Sequence, residues 1–135
     1  MPSYGPPIAT ETAKKVAAAA LAEARANNWT MAAAVVDPGG ILVYFERIDD
    51  TQNASSRIAI DKARSAALFK RATKTFQDSV ERGGIGLRVM MLRAASAVEG
   101  GVPIIVEGKI IGGLGVSGGT AEQDGQCCKA AIEGM

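Results

Sequence analysis

The polar side chains that could do chemistry in this chain are few, and most of them stand beside a turn or a glycine. Lys62 lies within an alanine-rich stretch; a solvated or snorkelling lysine is the expectation favoured for it, while burial in a pocket would lower the pKa of its amine and let it act as a base or hold a carboxylate. Asp37 precedes Pro38-Gly39-Gly40, and Asp124 follows a run of glycines near the end of the chain. Either carboxylate could serve as acid or base opposite Lys62. Arg47, at the end of an apolar run, could anchor an anion or mark the strand's solvent end. The richest stretch is Ile110 to Thr120, where Gly113, Gly115 and Gly118 make a literal G-x-G-x-x-G, with Gly119 and the Ser117 hydroxyl beside them. A glycine turn leading into a helix presents outward amides and a positive dipole end, a ready place for a carboxylate or phosphate.

The same stretch excludes more than it includes. A dinucleotide fingerprint needs a second parallel strand after the helix, ending in an acidic residue about twenty positions on. The sequence reaches Met135 too soon for that, so no NAD site is expected, and no Gly-Lys-Ser or Gly-Lys-Thr supplies a Walker loop. Two readings of the glycines stay open: an anion nest, or close packing of strand against helix. Ser117 could cap the closing helix or offer its hydroxyl to a ligand. Asp37 could equally satisfy the amides of its own turn. Met90 and Met91 suit core filling.

Composition narrows the classes further. There is no histidine, which removes Ser-His-Asp and Cys-His triads, histidine zinc sites and histidine-ligated haem. Cys127 and Cys128 are adjacent, too poorly placed for a disulfide and without metal-ligand spacing, so no metal is expected. With 15 basic against 14 acidic residues and 4% aromatic, the chain has neither the basic patch nor the stacking surface of a nucleic-acid reader. No apolar run reaches membrane-spanning length, and the start is not a signal peptide, so a cytoplasmic location is expected. At 135 residues and 47% apolar, one domain with a full core is expected.

The elements that must position these groups can be read in order. Residues 1–9 form a proline-rich extended arm that could lie on a partner subunit, and residues 10–135 a single domain. Thr10 is placed to cap a first helix, whose apolar face is Ala13, Val16, Ala17, Ala20, Leu21 and Ala24; Asn27-Asn28 ends it. Met31–Val36 and Ile41–Arg47 flank a turn and make a hairpin. A second helix runs from Ser55 or Ser56 to about Lys70, and a third from Thr75 to Arg82. Residues 85–97 could be strand or short helix. A second hairpin turns about Gly108, between Pro103–Glu107 and Ile110–Val116, and a last helix carries Gln123, Asp124 and the cysteines. Helix, hairpin, helices, hairpin, helix predicts an α+β fold, an antiparallel sheet flanked by helices.

Three blocks, in order, resemble one family. Val35–Arg47 resembles its "VVDxxGxLVAFxR" hairpin, and Ile58–Phe69 its "IAxxKAxTAAxF" helix. Gly100-Gly101-Val102-Pro103-Ile104, then Gly112–Gly119 with Gln123-Asp124, is similar to its "GGxPI…GxxGVSGGxxxQD" ending. The family is the GlcG/HbpS-like, haem-degrading or haem-binding domain, which also forms the C-terminal domain of PduO-type corrinoid adenosyltransferases. The resemblance implies a profilin-like sandwich assembled into homo-oligomers. Some members bind haem, and others sit among genes for small-molecule catabolism. Two functions follow as expectations. One is an oligomeric binding protein that holds a small organic anion or a tetrapyrrole near Gly113–Gly119, with Lys62 and Arg47 supplying charge. The other is a cofactor-independent isomerase or lyase acting on a carboxylate-bearing substrate through Lys62 with Asp37 or Asp124. With no histidine, a tyrosine, methionine, cysteine or lysine could ligate haem iron in its place, with Tyr44, Met90 and Met91 as candidates.

Overall fold

The computed structural model describes residues 1–135 throughout. In chain order its elements are β1 (Ser3–Tyr4), α1 (Thr10–Ala26), β2 (Ala32–Val36), β3 (Leu42–Arg47), α2 (Ala54–Phe69), α3 (Thr73–Arg82), a short three-ten helix (Gly84–Met91), β4 (Gly101–Val106), β5 (Lys109–Ser117) and α4 (Ala121–Glu133). β5 is the axis of the sheet. β4 runs antiparallel along one side of it, while β2 (antiparallel) and β1 (parallel) share the other, and β3 lies beyond β2. This is the expected α+β arrangement. No helix is long and apolar enough to cross a membrane.

Alternation along the strands divides the core in two. Ala33, Val35, Leu114 and Val116 face α1 and α4, where Val16, Ala20, Leu21, Cys127 and Cys128 complete the larger cluster. Ala32, Ala34 and Val36 face α2, against Ala59, Ala63 and Ala67. The three alanines recur every four residues, so one flat stripe of α2 meets a flat stripe of sheet. Gly113 and Gly115 fall on that same face of β5. A Cβ on Gly115 would strike the Ala59 carbonyl, and one on Gly113 the Ala63 carbonyl. These two glycines therefore bring the α2 backbone down onto the strand, which is the packing reading of the motif.

The termini of the elements follow local chemistry, with differences from expectation. The cap of α1 is Ala9 rather than Thr10, which is the first helical residue; the Ala9 carbonyl takes the Ala13 amide at 2.9 Å. Asn28 ends the helix in the left-handed region at φ 59°. The arm at residues 1–9 lies on its own sheet: Tyr4 pairs with Ile110, and its hydroxyl donates to the Ala67 carbonyl at 2.7 Å. Asp37 Oδ1 accepts the amides of Gly39 (2.9 Å) and Ile41 (3.0 Å). At the second hairpin Glu107 and Gly108 both take positive φ, 51° and 76°, as a two-residue turn of the primed type demands. Ser117 does not cap α4. It is still the last residue of β5, paired with Ala32, and its hydroxyl meets Ser55 Oγ at 3.3 Å. Thr120 is the cap, accepting the Gln123 amide at 3.1 Å, while Gln123 Oε1 accepts the Thr120 amide in return.

Residues 85–97, undecided between strand and helix, begin as the three-ten helix and continue without regular structure to Val98. None of the eight residues of that helix is buried.

Two tests follow from the packing. Gly115→Ala should lower the urea midpoint by an amount equivalent to about 1–3 kcal/mol or more, because the obstacle is helix backbone rather than a movable side chain. Both cysteines are free and buried, and burial pushes Cys127 up to about 12 and Cys128 higher still. Native protein should leave both thiols unreactive towards a disulfide reagent at neutral pH, and denaturation should release two equivalents; rapid native labelling would contradict the core placement.

Candidate functional site

Lys62 and Asp124, picked out on residue type alone, are brought into direct contact. Lys62 Nζ donates to Asp124 Oδ2 at 2.9 Å and to the Val116 carbonyl at 3.0 Å. Asp124 Oδ1 accepts the Gly119 amide at 3.0 Å. The two side chains are 1% and 3% exposed, so this is a buried ion pair. Burial pushes the Asp124 carboxyl above its ordinary range, opposed by Lys62 and by the Gly119 and Gly118 amides. The pair therefore joins α2, on one face of the sheet, to the first turn of α4, on the other. The passage exists because Gly100, at φ 124°, has no side chain: a Cβ there would stand 2.7 Å from Lys62 Nζ and 2.8 Å from Asp124 Cβ.

The other expected site residues are distributed differently. Gly118 and Gly119 lie at this pair, Ser117 one residue before them, while Gly113 and Gly115 lie under α2. Asp37 stays in its hairpin turn, and Arg47 is exposed at the far end of β3. Four clefts indent the surface, and none is lined by Asp37, Arg47, Lys62, Gly113, Gly115, Ser117, Gly118, Gly119 or Asp124.

Two of the clefts are lined by arginines. One, of about 570 Å³, lies between α3 and the three-ten helix. Phe76, Val89, Met91 and Leu92 make it apolar, while Arg71 and Arg88 stand in its lining. The Arg71 guanidinium sits 5.6 Å from the centre of the Phe76 ring. The second, of about 520 Å³, lies between α2 and residues 93–96. The ion pairs of the chain are Arg25–Glu46, Lys62–Asp124, Lys74–Asp78 and Lys129–Glu133, so Arg64, Arg71, Arg88 and Arg93 have no carboxylate partner.

None of these arginines was singled out from the sequence as a site residue. Arg64 lies in α2, Arg71 just after it, and Arg88 and Arg93 in the unperiodic Leu87–Arg93 run, the only local signal, in which apolar and cationic residues are mixed without a buried face.

With the architecture in place, the relatives can be compared. The family described as "Haem degrading protein HbpS-like" matches residues 8–133. This chain belongs to the HbpS-like family. It is 41% identical over 110 residues to Protein GlcG of Escherichia coli, covering 82% of this chain and 81% of that protein. Among solved structures it is similar to protein ORFY of Klebsiella pneumoniae, with a TM-score of 0.86 and 32% identity over 97% of this chain and 92% of that one. It is also similar to PduOC in a crystal structure of the PduOC:haem complex, with a TM-score of 0.85 and 29% identity over 96% and 95% of the two chains. The family match over residues 8–133 includes both the buried pair and the residues that line the two arginine clefts.

The buried pair has a distinct energetic signature. Asp124→Asn or Lys62→Met alone should cost about 3–5 kcal/mol, since each strands a buried charge or its polar partners. The double variant should recover most of that loss, because it removes both charges. A double-mutant cycle by urea unfolding checks this; additive losses would show that the pair is not coupled.

Proposed function

We propose that the chain is a small-molecule-binding protein whose ligand is an apolar-bodied organic anion of the tetrapyrrole kind, held in the cleft between α3 and the three-ten helix. One observation carries this: four apolar side chains and two guanidiniums without carboxylate partners share that cleft. An apolar wall with a few charged groups is the usual make-up of a cofactor pocket. Phe76, Val89, Met91 and Leu92 would cover the ring, and Arg71 and Arg88 would meet its carboxylates. For haem the residues fit the macrocycle and the propionates. Among the lining side chains, the Met91 thioether is the soft donor available to iron, with Thr75 and Ser79 the hydroxyl-bearing neighbours. Bound haem would supply redox chemistry at its iron. The haem named in the PduOC structure supports the same class of ligand.

Self-association belongs to this reading. Ile85, Leu87, Met90 and Leu92 are exposed, Ile85 by 77% and Met90 by 70%, on a segment with no buried residue. Apolar surface concentrated in this way commonly marks a contact face, and a second copy of the chain is the proposed occupant.

The alternative, catalysis by Lys62 with Asp124, has the two groups in contact but no cleft at their side. The binding reading is the better supported.

Titrating haemin into the protein should give a saturable Soret shift below tens of micromolar. Replacing Arg71 and Arg88 together by Gln should weaken it about tenfold or more. Met91→Leu should alter the spectrum while leaving the stoichiometry unchanged. No shift at tens of micromolar would eliminate the tetrapyrrole ligand. Native mass spectrometry of protein purified from its host reads the retained ligand and the oligomer together; a bare monomer would count against both parts of the proposal.

A further inference from the structure

We propose that the cleft between α2 and residues 93–96 is a second binding site, for a small organic monoanion that also carries a hydroxyl, a hydroxycarboxylate. It is lined by Asp61 and Arg64 of α2 and by Arg93, Ala94, Ala95 and Ser96. It shares no residue with the amphiphilic cleft and does not depend on that cleft's ligand.

Three features make it a built site rather than a chance hollow. The far wall is fastened: the Ser96 amide donates to the buried Ser65 Oγ at 2.9 Å, fixing residues 93–96 to α2. Ala94 holds φ at 67°, a left-handed conformation that costs a residue with a Cβ free energy and recurs at ligand-binding positions. Arg64 is steadied from the near side, its side chain lying over Gly40 of the β2–β3 turn, where a Cβ would reach its Nε at 3.5 Å.

The charges select the ligand. Asp61, Arg64 and Arg93 make no ion pair within 4.0 Å, with one another or elsewhere. Two guanidiniums against one carboxylate leave one positive charge over, the complement of a monoanion. Guanidinium groups match a carboxylate in shape and can grip it with paired hydrogen bonds. The Asp61 carboxylate can only accept, so a ligand that carries a donor near its own anionic group gains a contact there that a bare carboxylate does not. A hydroxyl meets that need. A phosphate dianion brings more like charge towards Asp61 than a monoanion does, and a plain carboxylate offers the hydrated Asp61 no donor in exchange for water.

The test is a chemical-shift titration of the full, nitrogen-labelled chain with lactate, propionate, alanine and inorganic phosphate. Lactate should move the Ala94, Ala95 and Ser96 amides saturably, and propionate, lacking the hydroxyl, should bind about tenfold more weakly. Arg93→Gln should weaken lactate about tenfold or more, and Asp61→Asn should remove the preference for lactate over propionate. Both side chains are exposed, so neither change should disturb folding, and the haemin titration should be unaltered in both. No saturable shift with lactate, equal affinity for lactate and propionate in the wild type, or indifference of lactate to Arg93→Gln would each overturn the proposal. Tighter binding of phosphate or alanine than of lactate would overturn the assigned ligand class.

Discussion

One ammonium group removed from water constrains most of this molecule. A lysine side chain that is 1% exposed must have its charge answered and its donors occupied, or the cost of desolvation exceeds what a fold of this size can spare. Lys62 meets that demand with one carboxylate and one backbone carbonyl, and each partner brings a structural obligation. Asp124 has to sit in the first turn of α4, with its other oxygen on the Gly119 amide, so the β5–α4 junction is fixed. The Val116 carbonyl has to point at α2, so the end of β5 is fixed as well. Gly100 has to be bare, so β4 must begin where it does. A single side chain thus sets the relation of helix layers on opposite faces of the sheet.

The second constraint works through absence of volume. Ala59, Ala63 and Ala67 on α2 and Gly113 and Gly115 on β5 let helix and strand approach until backbone meets backbone. That proximity is what allows the Lys62 stem to reach Asp124 at all. The G-x-G pattern and the buried pair are therefore one device: the glycines set the depth of α2, and the ion pair sets its position. The motif's likeness to a phosphate loop comes from a shared need for close approach, here by a helix backbone instead of a pyrophosphate.

What was legible in the sequence follows the same physics. The apolar face of α1, both hairpins and the α+β layering were read correctly because each rests on local periodicity or on a turn residue with a fixed conformational preference. Ser117 was available as a cap and did not become one, because ladder pairing with Ala32 holds it in the strand and leaves the task to Thr120. Lys62 and Asp124 were named for their chemistry, but their contact joins residues 62 positions apart and has no signature in spacing. The arginine clefts were invisible for a related reason. Arg71 and Arg88 line one cleft from stretches far apart in the chain, and a three-ten helix with no buried face gives a pattern search no periodicity to find.

The distribution of burial separates what holds the fold from what can serve it. Residues around Lys62, Gly113 and Gly115 are packed so closely that no cleft opens on them, and a ligand there would have to displace backbone. Residues 84–94 are the opposite: none is buried, yet they border both arginine clefts. Such a segment can shift at little cost to the core, because few of its apolar contacts are lost when it moves. Scaffold and cleft surface are then physically distinct. Sequence changes on the 84–94 segment can reshape the clefts without touching the ion pair, while the glycines and the pair tolerate almost none. A shared fold with differently shaped clefts is what that division permits, since the cleft walls lie in the part of the chain on which stability depends least.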